Sequence, residues 1–430
     1  MNPNKKNKYM EFIVSRNRLL KALQHTRCAI SKGEVNVFKM FVLTFPDDPK
    51  ESTMTVNTSD GSMWISETVL LDQPAVEAHP IAVWYCDFIR SVKSLDEQPL
   101  KFTVGEYQMT VTHSCGSYRL PLSNTADEFL QIPRPCPDVE APDGYQLEYE
   151  APGLASILSR CAYAMANDEL RPSMNGVYMN LTADYSDYVA SDGHKLVRVR
   201  KRPVMCGGKV VPLSFILPSP VVRTLRKVLP STGDVVVEYQ EQKTAKKVEH
   251  NYAGNGGTKE YTVIERPAMA RFLIDDTIFI SFKPIDGVYP RYWSVIPEYS
   301  VFQMTIDRKK MIKSCDRLSL FQPTSGMMIM SLTDSTLRLN AEDTDFEMAG
   351  EEILACECRK TDGTALIPDN RFLRIGMKIP TMSSTLKALS SEKVVFEFID
   401  ASRACIIHPV PQPDVEDITM LLMPMLCNED

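Results

Sequence analysis

Ser15-Arg-Asn-Arg-Leu-Leu-Lys-Ala-Leu-Gln24 is the run on which the fold turns, because the chain repeats its design twice more. Ala151-Pro-Gly-Leu-Ala-Ser-Ile-Leu-Ser-Arg160 and Asp307-Arg-Lys-Lys-Met-Ile-Lys-Ser-Cys-Asp316 open the middle and last thirds in the same way. Apolar residues recur at helical spacing in each: Leu19, Leu20 and Leu23; Leu154, Ile157, Leu158 and Cys161; Met311, Ile312 and Cys315. Such stripes predict amphipathic helices that pack on a sheet and turn their polar faces outward. A second helical run follows in each third, at 88–95, 221–229 and 386–389, and leads into alternating strands at 100–104, 235–239 and 393–398. Between the two helices come a strand, an acidic turn and a strand: Val56-Asn-Thr-Ser-Asp-Gly61, Val189-Ala-Ser-Asp-Gly193 and Leu339-Asn-Ala-Glu-Asp343. A period of roughly 130–155 residues is that of whole domains, not of solenoid units.

Length agrees: 430 residues correspond to about three domains, each able to bury its own core. Proline marks the joints. Gln131-Ile-Pro-Arg-Pro-Cys-Pro-Asp138 followed by Pro142 reads as an extended linker, since a residue before proline avoids the helical region. Pro290 and Pro297 bracket a second joint near residue 300. The expected domains are 9–135, 143–298 and 299–426, each α+β with mostly antiparallel sheet. Two exposed extensions are expected, a tip at Phe45-Pro-Asp-Asp-Pro49 and a long hairpin over 240–263 with an Asn255-Gly256 turn.

Hydrophobic content of 44% and charged content of 24% are ordinary for a globular protein. No run approaches 18 apolar residues, so no membrane span is expected. The basic start lacks an apolar stretch behind it, so no secretory signal is expected, and the expected location is the cytoplasm. Eleven scattered cysteines with no Cys-x-x-Cys point to free thiols in a reducing compartment and not to zinc. Cys356 and Cys358 should face the same side of a strand.

Net charge is −7, which argues against a protein that coats nucleic acid with its outer surface. The cations are nevertheless concentrated in the predicted helices: Arg16, Arg18 and Lys21; Arg90 and Lys93; Arg223 and Lys227; Lys309, Lys310, Lys313 and Arg317. Acids gather in turns and tails, such as Asp47-Asp48, Asp275-Asp276 and Glu351-Glu352. One basic helix would be a solvated face; the same bias in at least four of six equivalent helices lowers the weight of that reading.

At Arg171-Pro-Ser-Met-Asn-Gly-Val177, Val189-Ala-Ser-Asp-Gly-His-Lys-Leu196, Val288-Tyr-Pro-Arg-Tyr-Trp-Ser-Val-Ile-Pro297 and Leu421-Leu-Met-Pro-Met425, the chain resembles the bacterial DNA polymerase III beta subunit family, the sliding clamps. The resemblance spans essentially the whole chain. It implies a head-to-tail homodimer whose similar domains close a ring, with helices lining the hole and sheets outside. Cations on those helices would then hold duplex DNA without reading sequence. The resemblance also implies a groove for short linear motifs of the replicative polymerase and the ATP-dependent clamp loader. By motif position it is built from Arg171, Met174, Ser191, Gly193, His194, Leu196, Pro290, Val295, Leu421, Met423, Pro424 and Met425. Flexible thioethers suit a groove that accepts several ligands. For the dimer seam it implies edge strands at Gly116-Ser-Tyr-Arg-Leu-Pro121 and Arg317-Leu-Ser-Leu-Phe321, with Tyr118, Leu120, Leu320 and Phe321 in contact. The chain departs from the family at Leu426-Cys-Asn-Glu-Asp430, where a basic residue commonly follows, at Ser294 for an arginine and at Cys358 for an aromatic.

Ser191-Asp-Gly-His194 is the one fragment that tempts an enzymatic reading. A serine hydrolase needs the serine on a sharp elbow and the histidine distant in sequence, whereas Asp-Gly here reads as a turn. Six dispersed histidines offer no metal triad, and no GxxxxGK[ST] loop is present for ATP. The expectation is a DNA-encircling processivity factor without cofactor. The alternative is an interaction scaffold that keeps the groove and does not close around DNA.

Overall fold

The computed structural model of the chain describes residues 9–31, 33–206, 209–210, 212–250, 258–333, 335–361 and 373–426. Seven α-helices lie among them: α1 (Arg16–Thr26), α2 (Tyr85–Lys93), α3 (Ala126–Leu130), α4 (Ala151–Cys161), α5 (Ser219–Val228), α6 (Arg308–Leu318) and α7 (Ile379–Lys387). The repeat is visible element by element. Strands Met10–Ser15, Gly144–Glu150 and Phe302–Asp307 run straight into α1, α4 and α6. Strands Ile81–Trp84, Leu213–Pro218 and Leu373–Lys378 run straight into α2, α5 and α7.

Local chemistry starts these helices where the sequence suggests. Ser15 Oγ accepts from Arg18 N–H at 3.4 Å, and Asp307 Oδ1 accepts from Lys310 N–H at 2.8 Å. Each such cap is worth about 1 kcal/mol. The predicted stripes are buried: Leu19 and Leu23 on α1, Leu154, Ile157 and Leu158 on α4, and Met311 and Cys315 on α6. Fully burying one such side chain contributes about 1.5–3 kcal/mol.

By packing, the chain divides into two compact units, Met1–Pro152 with Arg223–Pro284, and Gly153–Val222 with Ile285–Asp430. The reason is strand pairing across the sequence thirds. In the first unit, Ile278–Phe282 pairs antiparallel with Met63–Leu70. One sheet there runs from Gly144–Glu150 through Asp234–Gln240, Met269–Ile274, Ile278–Phe282 and Met63–Leu70 to the strands around α1 and α2. Its core stacks Phe12 on Phe102 at 4.6 Å and tilts Phe41 on Phe88 at 4.9 Å. In the second unit, Lys195–Lys201 pairs antiparallel with Glu416–Leu422. That joins the sheet of Leu213–Pro218, Gly176–Leu181 and Ser186–Ser191 to the one carrying Phe302–Asp307 and Met348–Lys360.

Three local expectations shift. The second helix of the last third is longer than 386–389: it begins at Ile379, with Pro380 in its first turn. The third acidic turn lies later than Leu339–Asp343, because the strand Thr336–Asp343 runs through those residues. Arg317-Leu-Ser-Leu-Phe321 is not an edge strand: Arg317 and Leu318 close α6 and the next residues turn, with Leu320 N–H on the Arg317 carbonyl. Residues 131–142 form no helix or strand beyond a turn, as their prolines require. Lys243–His250 and Thr258–Arg266 pair as the expected hairpin, while its Asn255-Gly256 turn lies outside the described residues.

Candidate functional site: an apolar groove and cationic helix faces

The groove lies within the second unit, and its floor is the paired strands Lys195–Lys201 and Glu416–Leu422 with the turns at their ends. Asp192 organises one turn. Its Oδ1 accepts from the N–H groups of His194 and Lys195, both at 2.9 Å, and its Oδ2 pairs with Lys195 Nζ at 2.9 Å. Burial pushes the Asp192 carboxyl up, but the lysine and the two N–H donors outweigh it and hold it below the usual carboxylate range. Gly193 takes φ +91°, and a Cβ there would come 2.7 Å from Arg171 Nη1. Arg171 is fixed beside it, donating Nε to Asp168 Oδ2 at 2.8 Å and Nη2 to the Asp192 carbonyl at 3.3 Å. The same turn occurs in the first unit, where Asp60 Oδ1 accepts from Ser62 and Met63 and Gly61 has φ +89°.

The segment after the strand Glu416–Leu422 supplies the thioethers. Met423 N–H donates to the His194 carbonyl at 2.9 Å and Met425 N–H to the Gly376 carbonyl at 2.8 Å. Gly376 allows that approach, since a Cβ would stand 2.5 Å from the Met425 carbonyl oxygen. Two adjoining cavities result. One of about 330 Å³ is lined by Arg171, Met174, Ser191, Gly193, Leu196, Pro290, Val295, Leu421 and Met423. The other, about 490 Å³, is lined by His194, Pro424 and Met425 with Met423 again. All twelve residues expected from motif position therefore line one cavity or the other.

Sequence reasoning missed Lys195, Tyr289, Arg291 and Tyr292 in the first cavity and Met377, Lys378 and Thr381 in the second. The two tyrosines stood in the quoted 288–297 run and flank Pro290. Tyr289 stacks on Tyr178 at 4.8 Å. Tyr292 donates its hydroxyl to Asp187 Oδ2 at 2.7 Å, and buried Asp187 is held by both Arg200 nitrogens at 2.7 and 2.8 Å. That polar network, satisfied beneath the groove, fixes the turn carrying Val295. Met377, Lys378 and Thr381 had no local signal; only the bridge between Gly376 and Met425 brings them in.

Ser191 is not poised for nucleophilic attack. Its hydroxyl donates to the Lys195 carbonyl at 2.9 Å and accepts from Gly193 N–H at 3.2 Å. His194 is exposed at the turn, and its backbone, not its ring, joins the network. Among the described residues no group of three or more His, Cys, Asp or Glu could hold a metal. No described helix is long and apolar enough to cross a membrane. Cys356 and Cys358 share a buried face, with their sulfurs 3.6 Å apart.

The eleven helix cations fall into two sets. Arg16 donates Nε to the Val92 carbonyl at 3.2 Å and Nη2 to the Lys93 carbonyl at 2.9 Å, capping the end of α2. Arg308, buried, does the same for α7 through the Leu386 and Ser391 carbonyls. Arg18 pairs with Asp72 and donates to the Leu70 carbonyl at 2.6 Å. Arg317 grips Glu352. These guanidiniums are committed to the protein. Lys21, Arg90, Lys93, Arg223, Lys227, Lys309, Lys310 and Lys313 are exposed. Lys227 Nζ lies 3.8 Å from Cys28 Sγ. The spacing argument could not separate these sets, because a cation that caps a neighbouring helix has the same periodicity as one that faces solvent.

Of the proposed seam residues, Tyr118 and Leu120 sit on the strand Gly116–Ser123. Its 116–121 stretch pairs on one side with Gln108–His113. Leu320 is 71% exposed. Phe321 folds over Gly350, where a Cβ would come 2.8 Å from its ring.

Residues 293–425 match the family model for the C-terminal domain of the DNA polymerase III beta subunit. The beta sliding clamp of Treponema pallidum (strain Nichols) is 22% identical over 422 residues, 96% of this chain and 99% of that protein. That of Staphylococcus aureus (strain Mu50 / ATCC 700699) is 21% identical over 427 residues, 97% of this chain and 99% of that protein. Among solved structures, the DNA polymerase III beta subunit of Thermotoga maritima superposes with a TM-score of 0.79 at 17% identity, covering 97% of this chain and 100% of that one. The DNA polymerase sliding clamp of Pseudomonas aeruginosa gives 0.76 at 18%, with the same coverage. The chain thus has the fold of the DNA polymerase sliding clamps along nearly its whole length, and its 293–425 segment is similar to the C-terminal domain of the DNA polymerase III beta subunit.

Proposed function

We propose that the chain is a DNA sliding clamp, a non-enzymatic processivity factor that encircles duplex DNA and tethers the replicative DNA polymerase through the groove. One observation carries the reading. A chain of net charge −7, folded as a clamp, keeps exposed lysines and arginines on α1, α2, α5 and α6. Duplex DNA presents about one negative charge per 1.7 Å of axis, so such faces attract it without regard to sequence. Phosphate contacts position a protein and leave sequence unread, which is what sliding requires. In this reading Lys21, Arg90, Lys93, Arg223, Lys227, Lys309, Lys310 and Lys313 face the duplex, while Arg16, Arg18 and Arg317 are spent on the fold.

The finer parts of the proposal rest on the resemblance. Three clamp domains, 9–135, 143–298 and 299–426, make up one chain, and two chains join head to tail in a ring. Tyr118 and Leu120 of one chain meet Leu320 and Phe321 of the other, which covers an open sheet edge. An ATP-dependent clamp loader opens the ring, no cofactor is required, and the protein works in the cytoplasm on the nucleoid. Light scattering tests the closure: the ring predicts a mass of twice 48.5 kDa. A monomer at micromolar concentration favours the scaffold that keeps the groove and encloses nothing.

A further inference from the structure

A third depression, of about 660 Å³, adjoins the groove and shares Val295 and Met423 with its first cavity. Trp293 and Tyr299 supply its aromatic wall, and Ile399 and Ala404 add aliphatic lining. Parts of this lining are held by local contacts. Trp293 sits on the 3-10 turn Tyr292–Val295 and packs edge-on against buried Tyr292 at 5.1 Å and 81°. Between Ile399 and Ala404 is a turn in which Asp400 Oδ1 accepts from the N–H groups of Ser402 and Arg403 at 2.8 and 2.9 Å. Ser294, also in the lining, turns its hydroxyl back onto the Arg291 carbonyl at 2.7 Å.

Trp293 and Tyr299 are nevertheless 58% and 62% exposed. Two large aromatics open to solvent, one of them on a 3-10 turn, continuous with an apolar groove, are a feature of interaction surfaces. We propose that the partner segment is longer than the groove and carries an additional aromatic side chain, which seats between Trp293, Tyr299 and Ala404 on the far side of Met423. The inference rests on the groove being the partner site. An aromatic occupant matches the walls because ring pairs gain from offset or edge-on geometry beyond their area. A short aliphatic side chain would leave the aromatic wall wet.

Selection of a random peptide library on the full-length chain, followed by anisotropy titration of the selected peptides, tests this. The selected peptides should carry an apolar cluster and a separate aromatic residue. Replacing that aromatic with alanine should weaken binding about tenfold to wild-type protein, a loss typical of a buried anchor. The same replacement should have little effect on W293S/Y299S protein, whereas the apolar cluster stays essential to both. Equal affinity of parent and truncated peptides for wild type overturns the third anchor while leaving the groove intact. Peptides whose binding ignores Leu421→Asp and Met174→Asp would overturn the groove itself. Circular dichroism of each variant separates lost contacts from lost fold.

Discussion

Replacing Lys309, Lys310 and Lys313 together with alanine should flatten the salt dependence of DNA binding without loosening the fold. The three side chains are exposed on α6. None makes an ion pair among the described residues. Each phosphate contact contributes about 0.9 to the slope of log affinity against log salt, so losing three flattens it by about 2.7. Over a fourfold rise in salt, the wild type should then lose roughly 40-fold more affinity than the variant. Arg16→Ala is the counterpart. It strips the Val92 and Lys93 carbonyls of their donor at the end of α2. That should cost about 1 kcal/mol of stability and leave the slope nearly unchanged. Anisotropy of a labelled duplex across a potassium chloride series gives the slopes, and urea unfolding gives the stabilities. An unchanged slope in the lysine variant, or an equal fall in slope for Arg16→Ala, would refute the separation of the α6 lysines from the cations committed to the fold.

Gly193→Ala should lower stability by about 1–2 kcal/mol, because φ +91° is strained for alanine, and should weaken peptide binding by displacing Arg171. Urea titration and peptide anisotropy read the two effects, and a variant with wild-type values for both would show that the turn does not shape the groove. The Arg317 guanidinium holds the Glu352 carboxyl below its ordinary range; burial opposes this and the Ser314 hydroxyl assists. A carboxyl depressed in the folded chain stabilises it above the unfolded pKa, and that contribution disappears as pH falls through the folded pKa. The stability gap between wild type and Arg317→Ala should therefore be full at pH 7 and narrow as the pH falls below the ordinary carboxylate range; a gap that stays constant down through that range contradicts the pairing.

How much could be read from the sequence depended on how local the cause was. Helices α1, α4 and α6 were legible because their stripes bury close to their own turns, at Leu19, Leu154 and Met311. The strand Lys393–Phe398 was legible because period-two alternation needs no partner to be seen. Helix α7 was seen only at its end, because Pro380, Ser383 and Ser384 obscure the pattern that Met382 and Leu386 continue. The packing boundaries were not legible. Ile278–Phe282 and Met63–Leu70 lie in separate thirds, and nothing local announces that they pair. The groove divides in the same way. Residues in quoted motifs came together, whereas Met377, Lys378 and Thr381 enter only through the Gly376–Met425 bridge. The commitment of Arg16 to α2 is likewise a tertiary fact, though its recurrence at Arg308 shows the repeat keeping a structural role at the same place.

Enclosure of DNA, as opposed to adhesion, is tested most directly by loading the protein on a nicked circle with a clamp loader and then cutting the circle once. Topological retention predicts that protein stays bound to the intact circle through a high-salt wash and runs off once ends are made. Protein that remains on the linear product as on the circle would contradict it.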